Sequence, residues 1–211
     1  MINIFETNMT KYYFIHPTKS GGTAVERYFE THYSQYIEGK GHKPKCNNNR
    51  TSIVIVRDVK SRFLSMYKYW KNGSKDSQYK RNNDFKEKHK DVSIQDFINI
   101  LKTDKTKLFQ GFTWNDHFEN TTYWIGNTNY ENIIIVKYEN DLNAKINQLI
   151  DKLGIPNKHI ELPKVNVSDD NSFTEPTDDP TIDNFISEYF KKDIEFINDI
   201  NHSPHLFKFV I

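Results

Sequence analysis

The sequence predicts an α/β fold: one three-layer domain over residues 1–211, with a central parallel sheet flanked by helices. Three observations point there. Short β-branched or aromatic runs at 12–16, 52–57 and 133–136 are each followed by a segment of helical apolar period. A chain of 211 residues and 25.1 kDa is long enough to bury one sizeable core. Aromatic residues at 14% supply core material although the mean hydropathy is −0.78.

The first strand, 12–16, runs into Pro17-Thr18-Lys19-Ser20-Gly21-Gly22-Thr23-Ala24, and a helix over 22–33 carries Val25, Tyr28 and Phe29 on one face. Strand, glycine loop and helix make an anion cradle. Glycines let the backbone approach closely, successive N–H groups converge, and the helix start adds its dipole. Lys19 brings a full positive charge to the same place. The loop is not the GxxxxGK(S/T) phosphate loop of ATP and GTP enzymes, because Lys19 precedes Gly21 and Gly22.

A linker over 34–50 leads to Ser52-Ile53-Val54-Ile55-Val56-Arg57, which reads as a buried parallel strand. The helix after it, 60–71, places Phe63, Leu64, Met66, Tyr67 and Trp70 on a stripe. Arg57 therefore stands at a strand's C-terminal end, and Ser65 about two turns into the next helix. Ligands bind at that edge of an α/β sheet. An arginine fork and a hydroxyl there suit a second phosphate.

The two segments together resemble the sulfotransferase family. Residues 17–24 are similar to its 5′-phosphosulfate loop, close to PKxGGT(S/A). Arg57, Asp58, Arg62, Ser65, Tyr67 and Trp70 follow its 3′-phosphate pattern, roughly RDPxxRxxSxYxxW, with Val59 where proline is usual. The resemblance implies a P-loop-like fold and 3′-phosphoadenosine-5′-phosphosulfate (PAPS) as sulfuryl donor, with no metal. Lys19, Ser20, Gly21, Gly22, Thr23 and Ala24 would bind its 5′ end, and Arg57 and Ser65 its 3′-phosphate. Lys19 would also stabilise the leaving phosphate. His42, in Gly41-His42-Lys43, is similar to the Gly-His element of glycan sulfotransferases and is the candidate general base. His16, Glu26 and His117 are the fallback bases. The implied acceptor is a hydroxyl, first of all on a carbohydrate.

The remaining elements follow in order. Residues 71–93 read as a polar insertion or a lid. A short helix starting at Ser93 or Asp91 carries Ile94, Phe97, Ile98 and Leu101 on one face. The strand 133–136 precedes a helix with Leu142, Ile146, Leu149, Ile150 and Leu153, which Gly154-Ile155-Pro156 terminates. Residues 156–181 form a long loop in which Lys164, Asn166 and Ser168 are candidate nucleotide contacts. A final helix over 182–199 covers the sheet.

A net charge of +1 gives no global attraction to nucleic acid or membrane. The single cysteine, Cys46, excludes an internal disulfide and fits a reducing compartment. His42, His89, His117, His159, His202 and His205 are scattered, without metal-ligand spacing. With no signal-like start and no run of ~20 apolar residues, a cytoplasmic or otherwise soluble intracellular protein is expected. Two other readings stand beside this one: a nucleotide-dependent kinase with an atypical phosphate loop, and a PAPS-binding module without catalysis.

Overall fold

The structure is a computed structural model that describes residues 12–39, 50–72, 87, 90–104, 115–138, 141–156, 158, 160–164 and 178–211. Its centre is a five-stranded, all-parallel sheet of order β2-β1-β3-β4-β5. The strands are β1 (Tyr12–Ile15), β2 (Ile37–Glu38), β3 (Ser52–Arg57), β4 (Ile133–Tyr138) and β5 (Phe209–Val210). β3 and β4 are in register from Ser52↔Ile133 to Arg57↔Tyr138. Because side chains alternate along a strand, the β-branched runs supply both faces. Ile53, Ile55, Ile134 and Val136 point to one cluster, and Val54, Val56, Ile133 and Ile135 to the other.

Seven α-helices are found among the described residues: α1 (Gly22–His32), α2 (Val59–Asn72), α3 (Ile94–Asp104), α4 (Thr121–Ile125), α5 (Leu142–Lys152), α6 (Pro180–Tyr189) and α7 (Lys191–His202). α1 and α5 bury Val25, Tyr28, Phe29, Ile146, Leu149 and Ile150 on one face of the sheet. α4 and α7 cover the other with Trp124, Ile125, Phe196 and Ile200. A third cluster joins α2, α3 and α6 through Phe63, Tyr67, Trp70, Phe97 and Phe185. None of the described helices is long and apolar enough to cross a membrane.

α5 ends as its sequence predicts. Gly154 takes φ 65, Ile155 N–H donates to Ile150 O at 3.1 Å, and Gly154 N–H donates to Asp151 O at 3.0 Å. This paired closure satisfies the last carbonyls and buries Ile155 beside Ile150.

The single C-terminal helix expected over 182–199 is instead two. Phe190 breaks it with φ −104 and ψ 27. Ile182, Phe185, Ile186 and Phe190 pack on α2 and α3, whereas Phe196 and Ile200 pack on the sheet. One straight helix cannot face both surfaces. The short strands β2 and β5 were not expected either, being two residues each.

The chain diverges about β1: it passes from β1 to β2 on one side and then crosses back to β3 on the other. That divergence leaves a crevice at the C-terminal ends of β1 and β3, the usual ligand position in open α/β sheets.

Candidate functional site

A cavity of about 710 Å³ fills this crevice. Its floor is the loop after β1. Ser20 closes a tight turn, with its N–H and its hydroxyl both donating to the Pro17 carbonyl, at 3.3 and 2.6 Å. Lys19 then adopts φ 60 and Gly21 φ 79, two left-handed residues separated by one. Gly21 is the N-cap of α1 and provides no side-chain cap, so the first turn of that helix opens on the cavity. Two close approaches demand glycine here. A Cβ on Gly21 would lie 2.5 Å from the Tyr138 ring, and one on Gly22 would lie 2.1 Å from the His16 Cβ.

The second wall is the end of β3 and the start of α2. Arg57 donates from Nε to Ser61 Oγ at 3.0 Å and from Nη1 to the Lys19 carbonyl at 3.0 Å. Its guanidinium also sits 4.7 Å from the Tyr138 ring centre. Asp58 caps α2 by accepting from the Ser61 N–H at 2.8 Å. From there Ser61, Ser65, Lys68 and Tyr69 recur at helical spacing and all line the cavity. Lys19 Nζ lies 4.1 Å from the centre of the Tyr69 ring. Burial, and then the positive charge of Arg57, push the Lys19 ammonium down from its ordinary 10.5 to about 8.

Behind the loop is a buried cation. Arg62, 1% exposed, donates to the Thr18 carbonyl at 3.0 Å, the Asp193 carboxylate at 2.9 Å and the Glu119 carbonyl at 2.7 Å. Asp193 also accepts from the N–H and hydroxyl of Thr121. Burial lowers the Arg62 pKa and raises that of Asp193, while their mutual attraction opposes both shifts.

Of the residues expected at the site, Lys19, Gly21, Gly22, Thr23, Ala24, Arg57 and Ser65 all line this one cavity. Ser20 is different: it is 1% exposed and its polar groups turn back to Pro17, so it shapes the loop. His42 and Cys46 lie outside the described residues, as do Asn166, Ser168 and most of 71–93. His16 lines the cavity and its Nε2 is 3.3 Å from Glu26 Oε2. His117 lines it from the 3-10 turn Asn115–Phe118, with its carbonyl accepting from the Thr18 hydroxyl at 2.6 Å. Lys164 lines it beside Pro163.

Lys60, Ser61, Lys68, Tyr69 and Tyr138 also line the cavity and were not picked out from sequence. For Ser61, Lys68 and Tyr69 a signal existed, since they share the helix face of Ser65. Tyr138 had none, because only strand register puts it beside Arg57. Lys19, Arg57, Lys60, Lys68 and Lys164 thus concentrate positive charge here, although the whole chain carries only +1. The arrangement can hold an extended ligand with anionic groups at both ends. Among the described residues no group of three or more His, Cys, Asp or Glu side chains is placed to hold a metal ion.

A family model described as "Sulfotransferase family" matches residues 7–202. No curated protein and no solved structure gives a match.

Proposed function

The chain belongs to the sulfotransferase family, and from that premise we propose that it moves a sulfuryl group from PAPS to an acceptor hydroxyl on a carbohydrate, with the chain acting as one domain. The observation that carries the reading is the pairing of two strand ends. Lys19 follows β1, Arg57 ends β3, and Arg57 Nη1 holds the Lys19 carbonyl at 3.0 Å inside one cavity. Two cationic sites joined in this way suit a nucleotide carrying anions at its 5′ and 3′ positions.

The residues fit such a donor. Lys19 and the backbone of Gly21 to Ala24 hold its 5′ end, where the close packing of Gly21 and Gly22 excludes any side chain. Arg57 and Ser65 hold the 3′-phosphate. When bound, PAPS supplies the activated sulfuryl group and a bisphosphate leaving group. Lys19, cationic at neutral pH, stabilises negative charge at the 5′-phosphate. His42 takes the proton of the acceptor hydroxyl on its imidazole. The course of the chain supports this role: β2 is parallel to β1, and Gly39 leaves it close against Phe14, where an added Cβ would be 2.9 Å from the Phe14 carbonyl. Gly39, three positions before His42 in the sequence, therefore lies at the sheet edge that carries the loop.

The test is calorimetric titration with 3′-phosphoadenosine-5′-phosphate (PAP), with and without chelator. Wild type should bind, and Lys19→Ala and Arg57→Ala should each weaken binding about tenfold or more. Sulfation of carbohydrate acceptors, abolished in His42→Ala with PAP binding intact, completes the reading. Absence of PAP binding alongside binding of ATP with magnesium would sink it in favour of a kinase. PAP binding without turnover on any hydroxyl would leave only a binding module.

A further inference from the structure

Three segments of the chain meet at one buried guanidinium. Arg62 Nε donates to the Thr18 carbonyl at 3.0 Å, immediately before Lys19. Its Nη2 reaches the Glu119 carbonyl at 2.7 Å and the Thr18 hydroxyl at 3.5 Å. The Thr18 hydroxyl in turn donates to the His117 carbonyl at 2.6 Å. Its Nη1 meets Asp193 of α7 at 2.9 Å. Two of these segments, the loop and the turn at His117, both line the cavity.

We infer that Arg62 is a positioning residue for the phosphate loop: anchored by Asp193, it holds the Thr18 carbonyl from inside the core and so fixes the backbone from which Lys19 enters the cavity. The inference rests on the PAPS reading for its consequence, though not for its geometry. Lys19 sits at φ 60, a conformation that a non-glycine residue rarely adopts and that persists only where neighbours impose it. The restraints are visible on both sides. The carbonyl before Lys19 is held by Arg62 and its own carbonyl by Arg57. With both carbonyls engaged by arginines, they are kept from turning toward a bound anion. Asp193 is the anchor because its carboxylate is itself held by the N–H and hydroxyl of Thr121. Lysine cannot replace Arg62, since a point charge lacks the planar fork that reaches three acceptors.

The experiment compares the full chain as wild type, Arg62→Lys, Asp193→Asn and Thr18→Val. Ile133→Ala is the control, a buried site at the other end of β4 that loses stability without touching the loop. PAP affinity is read by calorimetry at a temperature where each variant is folded. Hydrogen exchange of the Thr18–Ala24 amides is read without nucleotide.

Arg62→Lys and Asp193→Asn should bind PAP about tenfold or more weakly, and Thr18→Val several-fold. All three should lose protection in the loop, with Ile133→Ala unchanged in both readouts. Loop protection and PAP affinity equal to those of Ile133→Ala would overturn the inference. If Arg62→Lys does not fold, Asp193→Asn decides, because it keeps the shape of the anchor and removes the charge that holds the guanidinium. If wild type itself fails to bind PAP, the functional reading falls. The exchange data then still decide whether Arg62 holds the loop.

Discussion

Arg57 Nη1 holds the carbonyl of Lys19 at 3.0 Å, so these two of the site's cations are not independent. The same closeness that sets these two cations side by side lowers the pKa of Lys19, with burial the larger cause and Arg57 the second. An incoming anion relieves that repulsion, so binding and protonation at Lys19 are linked.

The sign of that linkage can be tested. Free Lys19 loses its proton near pH 8, below its ordinary 10.5. PAP favours the charged form, so affinity should be level from about pH 7, where its phosphates are largely ionised, to pH 8 and fall as pH rises above that, by at most about tenfold per unit. Near and above pH 8 binding should also take up a proton, seen by calorimetry in buffers of different ionisation enthalpy. Both effects should disappear in Lys19→Ala. An affinity that stays flat to pH 10 would contradict the assignment.

Gly22→Ala separates sterics from backbone propensity. Gly22 lies in the first turn of α1 without a positive φ, where alanine is ordinarily better by about 1 kcal/mol. Here its Cβ would lie 2.1 Å from the Cβ of His16, a residue 2% exposed with nowhere to retreat. A net loss of about 1–3 kcal/mol is expected in urea unfolding, with loss of PAP binding. Gly154→Ala is the contrast. Its φ is 65 but its Cβ meets nothing within 4 Å, so only the strain of about 1–2 kcal/mol should appear and binding should persist.

Asp58 should show opposite effects on stability and binding. Its carboxylate caps α2 through the Ser61 N–H, so Asp58→Ala should cost about 1 kcal/mol in thermal or urea unfolding. The same carboxylate is an acid on a cavity wall that otherwise carries lysines and an arginine. Its removal should therefore tighten PAP binding modestly at low salt, an effect that fades as salt is raised. Asp58→Asn should keep the cap and show the binding gain alone.

What the sequence disclosed, and what it withheld, follows from range. The loop from Pro17 to Ala24 and the pair Arg57 and Ser65 were legible because their geometry is set locally, by a strand end, two glycines and a helix start. The anchor of Arg62 was not, since Asp193 is 131 positions away and only the packed fold brings it near. Ser20 looked like an anion donor by its place in the motif, yet its hydroxyl serves Pro17 three residues back. β2 and β5 are too short to display any period, and they exist because β1 and β4 offer them edges. The break at Phe190 was hidden by a continuous apolar stripe that serves two different surfaces in turn.

That break supplies the last prediction. Phe190 is fully buried against Phe63, Phe185 and Tyr189, and its carbonyl accepts from Asp193 N–H at 2.9 Å. The ring thus fixes the turn that starts α7 three residues before Asp193 and decides how that carboxylate meets Arg62. Phe190→Ala leaves a cavity at the junction and should cost about 3–5 kcal/mol in urea unfolding. Phe190→Leu keeps most of the volume and should cost under about 1.5 kcal/mol. If the ring also sets Asp193, Phe190→Ala should weaken PAP binding more than Ile133→Ala does, measured where both are folded. Equal affinity in those two variants would mean that Phe190 stabilises the junction without steering Asp193.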